Sequence, residues 1–464
     1  MAGMMLREIC WAWHRRAGVA LAGSALIIAC GGAAQPGDSA VTPAESPAAA
    51  ATAVPFVSTS SSSATKGPSP APDTISSNPQ SPTARAAAAS LQDTPTATLP
   101  KRGREVIPEG DFPLVDTSLH SVSLSDILFD TFGGSPRFLP LDRAKEDRIR
   151  ALRDAIVPIL HPEYGAAGDL SWMKDDSLVM GYVSGEDAYA YPINVLNAHE
   201  IVNDVINGVP VLITYCPLCF SGVVYQRDLD GTLLTFGNTS ALYQSDLVMY
   251  DHQTGSYWFQ VAGEAVVGEL TGSRLNLLPS STMTWGEWKR LYPQTQLLTG
   301  IEGAPTMFNS RRYSRGFDGD SQGRINDEQF IFPVDEKKLD RRLSAGEIVL
   351  TVEVGGEVTA FPLDIIGDGV VNDQVGTEPV AVFIRAGGGA VGSFSRVVDG
   401  KTLTFEYRQD RQVFVDRETS SIWDAAGRAT GGPMSGAQLK RVNTRRAFWF
   451  SIAIALPGVD VYTP

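Results

Sequence analysis

An internal repeat limits the folds open to this chain more than any other feature. Asn203-Asp204 and Asn372-Asp373 open two stretches that run in step without a gap: Pro210 matches Pro379, Tyr225 matches Phe394, Arg227 matches Arg396, Gly231 matches Gly400 and Phe236 matches Phe405. After a small loop deletion, Asp251, Thr254, Ser256 and Trp258 match Asp416, Thr419, Ser421 and Trp423, and Trp285 and Pro293 match Trp449 and Pro457. Upstream, Gly185, Tyr191 and Pro192 match Gly355, Phe361 and Pro362. Such self-similarity implies one supersecondary unit used twice.

Alternating β-branched and aromatic residues predict strands over 209–215, 222–227 and 232–236, and over 380–385 and 402–407 in the second copy. Asp230-Gly231 and Asp399-Gly400 are hairpin signals. Helical spacing of Ile149, Leu152, Ile156 and Ile159 predicts one helix over 141–160, and a short one is expected at 285–291. The expected fold is mainly β with a few helices (α+β), built as two tandem pseudo-repeats of a short-stranded β unit. The first spans 177–305 and the second, degenerate in its chemistry, 343–464. A lead-in with one helix occupies 101–176, and a polar linker 306–342. Within that linker Asp318, Asp320 and Gly323 partly satisfy a calcium loop, but Gln329 stands where the last ligand should be Glu, so a solvated acidic linker is the better reading.

Residues 1–30 are expected to be a targeting segment. His14, Arg15 and Arg16 precede an apolar run over 17–29, too short for a membrane-spanning helix of about 20 residues. The run ends in Ala29-Cys30-Gly31, which looks like a lipobox, with lipid attached at Cys30. Residues 31–100 are dominated by Ala, Ser, Thr and Pro and are expected to form a disordered tether with a reach on the order of 45 Å. The expected location is therefore outside the cytoplasm, lipid-anchored on the outer face of a bacterial membrane. A net charge of -14 argues against a nucleic-acid partner; a protein or small-molecule partner stays open.

With Cys10 removed and Cys30 lipidated, only Cys216 and Cys219 remain as thiols, which excludes a disulfide framework. The repeat isolates what one copy has alone: Cys216 aligns with Arg385, Cys219 with Gly388, His199 with Asp368, Glu200 with Gly369 and His252 with Arg417. Cys216-Pro217-Leu218-Cys219 between two strands resembles a metal-binding knuckle, although Phe220 replaces the usual glycine. Cys216, Cys219 and His199, with His252 or Met249 as further candidates, would suit zinc or copper. A dithiol redox pair and a structural pair, leaving a non-catalytic binding module, stay open. Taken singly, His199 could support the neighbouring turn, His252 could lie at the surface and Met249 could be core. Glu200, Asn203 and Asp204 are lesser polar candidates, and Asp251, shared by both copies, is assigned to an Asx-type turn. The spacing GxGxxG at Gly387 precedes a strand pattern, so no nucleotide cofactor is expected. Neither a GxSxG elbow nor an HExxH helix is present.

The strings His199-Glu200-Ile201-Val202-Asn203-Asp204, Tyr215-Cys216-Pro217-Leu218-Cys219, Ser245-Asp246-Leu247-Val248-Met249-Tyr250-Asp251 and Trp285-Gly286-Glu287-Trp288, in that order, resemble the bacterial and archaeal family called domain of unknown function 3179. The resemblance runs from about Pro136 to the C-terminus. It implies an exported or lipid-anchored protein and carries no established reaction.

Overall fold

The computed structural model describes residues 112–314, 321–385 and 390–464. Cys30, the targeting segment, the tether, Asp318 and Asp320 of the acidic loop and Gly387 to Gly389 lie outside the described residues. The described chain is mostly β, with several sheets and a few short helices. None of those helices is long and apolar enough to cross a membrane.

The Val209–Cys216 strand shows why the sequence folds this way. Its run Val-Pro-Val-Leu-Ile-Thr-Tyr-Cys is apolar on both faces, as expected of a strand covered on both sides. Val211, Ile213 and Tyr215 enter one buried cluster, and Leu212 and Cys216 enter another. The strand pairs antiparallel with Ile201–Ile206 and Ser221–Gln226. Ser221–Gln226 then meets Asn443–Phe448 at the Gly222 to Arg446 rung, and the sheet continues through Ile348–Val354, Glu357–Pro362 and Asp460–Val461. One sheet thus joins strands from 201–226 to strands from 348–461.

A five-stranded sheet runs in the order Ser280–Thr284, Leu178–Ser184, Asp187–Pro192, Gln296–Ile301, Pro162–Gly165. A six-stranded sheet carries Phe236–Tyr243 and Asp246–Asp251 between Tyr257–Phe259 and Ile127–Asp130. Short sheets of three and four strands hold Gly369–Val375 to Ala390–Ser395 and Phe405–Arg408 to Ala429–Gly431.

Side-chain bonds recur at residues spaced as the sequence matches are. Asn203 donates to the Phe236 carbonyl at 2.9 Å and accepts from its N–H at 2.8 Å; Asn372 does the same with Phe405 at 2.9 and 2.8 Å. Arg227 donates to Leu234 O and Asp204 O, and Arg396 to Leu403 O and Asp373 O. The indoles of Trp258 and Trp423 each donate to an aspartate, Asp251 and Asp416, at 2.9 Å. Asp187–Pro192 runs parallel to Gln296–Ile301, and Glu357–Pro362 runs parallel to Asp460–Val461.

Two expectations need correction. The helix expected over 141–160 is confined to Glu146–Leu152, after a single turn at Leu141–Arg143. Asp154 takes a left-handed φ of 53°, which a helix cannot continue through, and Pro158 has no N–H to donate. Ile159 instead forms a parallel bridge with Val202. The segment 306–342 is more than a polar link, because Phe308 and Tyr313 are 0% and 1% exposed. The helix at Trp285–Leu291 occurs as expected, with Thr284 accepting from Glu287 N at its N-terminus.

Candidate metal centre

Cys216 ends one strand and Ser221 begins the next, so residues 217–220 form a tight turn across the Cys216 to Ser221 rung. Phe220 sits at φ 54°, a left-handed conformation that costs a non-glycine residue energy, which is the physical reason glycine is usual there. The turn is held from outside by Phe448, whose N–H donates to Cys219 O at 2.9 Å, and by a stack of Phe220 on Phe448 at 5.5 Å.

A second turn meets the first. Gln244 and Ser245, at φ 52° and 63°, connect paired residues Tyr243 and Asp246 in the two-residue pattern of a type I′ turn. This turn directs Asp246 inward. The two sulfurs and a carboxylate oxygen of Asp246 all lie within 4.8 Å of one another, and all three residues are buried. Among the described residues this is the one group of three or more His, Cys, Asp or Glu side chains close enough to hold a metal ion. Both cysteines are free thiols.

Neighbouring groups fix this trio. Cys219 Sγ lies 3.1 Å from Ser221 Oγ, which donates to Gln260 Oε1 at 2.7 Å. Asp246 accepts from Leu247 N at 2.7 Å and from Ser451 Oγ at 2.5 Å, the latter on the Trp449–Ala455 helix. Burial pushes the Cys216 thiol up and the Cys219 thiol well up. It pushes the Asp246 carboxyl to about 6, against hydrogen bonds from Ser451, the thiols and Leu247 that pull it down. Without a metal the trio therefore holds its thiol protons near neutral pH. Bound metal would take their place and release them.

Glu200 is close enough for its charge to raise the Cys216 thiol further. It caps the helix Ile193–His199 at φ 60°, and its carboxyl accepts from Asn238 Nδ2 at 2.7 Å. Burial pushes that carboxyl from 4.5 to about 7, against the Asn238 bond that lowers it. Between those values the folded state keeps a proton that the unfolded chain has released. Its stabilising contribution is full below 4.5 and is lost as pH rises through 7. The loss is about 3 kcal/mol at about 1.4 kcal/mol per unit. Asp246, raised to about 6, falls in the same direction, so urea unfolding of metal-free protein should show a larger fall in wild type than in Glu200→Gln; parallel pH profiles would refute the assignment.

The other sequence candidates lie elsewhere. His199 does not join the cysteines, because its two ring nitrogens bond Val157 O at 2.8 Å and Tyr313 Oη at 2.9 Å. Its main partner therefore comes from the segment read as a linker. His252 stacks on Phe112 at 3.9 Å and is likewise outside the trio. Met249 is buried in the apolar cluster that contains both cysteines. Asn203 ties its strand to Phe236, and Asp204 accepts from Tyr164 Oη at 2.8 Å. Asp251 accepts from Thr254 N at 2.6 Å, the bond of an Asx-type turn. Sequence reasoning missed Asp246, Ser221, Gln260 and Ser451; the signal available for Asp246 was its place in the Ser245 to Asp251 string.

A family model described as "Protein of unknown function (DUF3179)" matches residues 153–457. No curated protein and no solved structure matches the chain.

Proposed function

We infer, for a chain that belongs to the DUF3179 family, that its domain binds one thiophilic metal ion between Cys216, Cys219 and Asp246. The observation that carries this reading is the meeting of two free, buried thiols and a buried carboxylate within 4.8 Å. Two thiolates favour zinc or Cu(I), and a carboxylate, a harder ligand, turns the balance toward zinc. Such an ion would clamp the 217–220 turn to the 244–245 turn. The dithiol redox reading is weaker, since a reactive thiol needs exposure and a lowered pKa, whereas Cys216 and Cys219 are 1% and 0% exposed and shifted upward.

Elemental analysis of the full-length chain, purified reduced in detergent without a polyhistidine tag and reconstituted with zinc, should find about one metal ion per chain, the content expected of one structural site. Substoichiometric zinc, copper and iron after reconstitution would overturn the reading and leave a non-catalytic binding module.

The same reading includes a duplicated unit, supported by the recurring Asn, Arg and Trp bonds. It also places the domain outside the cytoplasm on a lipid at Cys30, supported by the apolar run ending in Ala29-Cys30-Gly31 and by the tether composition. Cells given labelled palmitate should label the wild-type chain and not Cys30→Ser. Equal labelling of both would remove the anchor.

A further inference from the structure

Tyr215, Gly222 and Arg446 occupy one rung across three adjacent strands, next to the Cys216 to Ser221 rung. Tyr215 is 2% exposed, and its phenol oxygen is buried without a hydrogen-bond partner. Arg446 Nε is buried without a partner as well. Both side chains lie against the same ring: Arg446 Cζ is 4.8 Å from the Phe220 centroid, and the Tyr215 and Phe220 centroids are 6.0 Å apart at 71°. Gly222 contributes no side chain between them, and the Met180 thioether fills the space above it.

Arg446 is half-buried with no carboxylate in contact, and a buried hydroxyl or guanidinium N–H left unpaired is costly. Burial lowers the Arg446 guanidinium to about 10, while the nearby Tyr215 and Asp364 act in the opposite direction. Neither relieves it by a hydrogen bond. The two buried arginines among the described residues are paired: Arg445 bonds Glu353 and Val261 O, and Arg227 bonds Leu234 O.

We propose that Arg446 and Tyr215 form a site for the carboxylate of a small organic acid, with Phe220 as its apolar floor. A carboxylate fits the fork of Nε and a terminal nitrogen with two parallel bonds, and its second lone pairs accept from the phenol. Phe220 and the Met180 thioether are the apolar neighbours against which the hydrocarbon part of such an acid would pack. None of its groups is a metal ligand, although Phe220 belongs to the 217–220 turn and Tyr215 adjoins Cys216, so metal content is read beside binding.

The test is calorimetric titration of the full-length chain with acetate, benzoate and sulfate in chloride-free buffer. Saturable binding of a carboxylate is expected, weakened at least about tenfold in Arg446→Gln, the scale of one lost charged hydrogen bond. Tyr215→Phe should weaken binding severalfold while its ligand-free melting temperature stays at or above wild type, because an unpaired hydroxyl has been removed. Metal content should be unchanged in both. The proposal is overturned if no carboxylate binds saturably, if sulfate binds as tightly as benzoate, or if Arg446→Gln binds like wild type. Should Arg446→Gln fail to fold, Tyr215→Phe decides: undiminished affinity, or a lowered ligand-free melting temperature, overturns the proposal.

Discussion

Cys216→Ser and Cys219→Ser are each expected to reduce the zinc content of the reconstituted chain from about one ion to near zero, since each removes one thiolate from a three-ligand set. The affinity loss should exceed the roughly 10- to 100-fold typical of an outer partner. Ser451→Ala, which removes only a hydrogen bond to Asp246, should fall within that lesser range. The pattern matters as much as the size. If the trio binds the ion directly, Cys216→Ser, Cys219→Ser and Asp246→Asn form one severe class, and Ser451→Ala and Glu200→Gln a milder one. His199→Gln should leave zinc affinity unchanged, because that ring is committed to Val157 and Tyr313. Zinc at a thousand times its dissociation constant should add about 4 kcal/mol to wild-type stability, and little to either cysteine variant. Competition titration against a chromophoric chelator, read beside urea unfolding, separates these outcomes. A Cys216→Ser chain that retains tight stoichiometric zinc would contradict them.

Trp258→Ala and Trp423→Ala should each destabilise the domain by about 3 to 5 kcal/mol, the range for deleting a fully buried large aromatic side chain. Both rings are 0% exposed. Each loss has two parts: the cavity left by the indole, and a buried aspartate deprived of its N–H donor. The equivalence carries the argument about the fold. Strands of the two halves share a sheet where Ser221–Gln226 meets Asn443–Phe448, so neither half closes its core alone. Both substitutions should therefore shift one common urea transition by similar amounts. Two separate transitions, with each variant moving only one of them, would show instead that the halves fold as independent units.

Much of this was readable in the sequence because the signals are local. Alternation and turn residues placed strands that the fold contains, such as Val209–Cys216 and Ser221–Gln226. Comparison of the matched segments singled out Cys216 and Cys219, which the fold brings together. What escaped depends on contacts between distant segments. Asp246 reaches the thiols through a turn of Gln244 and Ser245, neither of them a residue that marks a left-handed turn. His199 looked like a ligand because its partner, Tyr313, lies more than a hundred positions away. The helix over 141–160 was overextended because its apolar spacing continues past Asp154, where the backbone turns left-handed. The union of strands from both halves was invisible for the same reason: pairing of Gly222 with Arg446 leaves no periodic trace in either segment.

Zinc-edge X-ray absorption of the reconstituted chain tests the central claim most directly. Binding by Cys216, Cys219 and Asp246 predicts a shell of two sulfurs at about 2.3 Å and oxygen ligands at about 2.0 to 2.2 Å. The sulfur shell should fall to one in Cys216→Ser. A spectrum of nitrogen and oxygen ligands alone, the same in wild type and in Cys216→Ser, would contradict it.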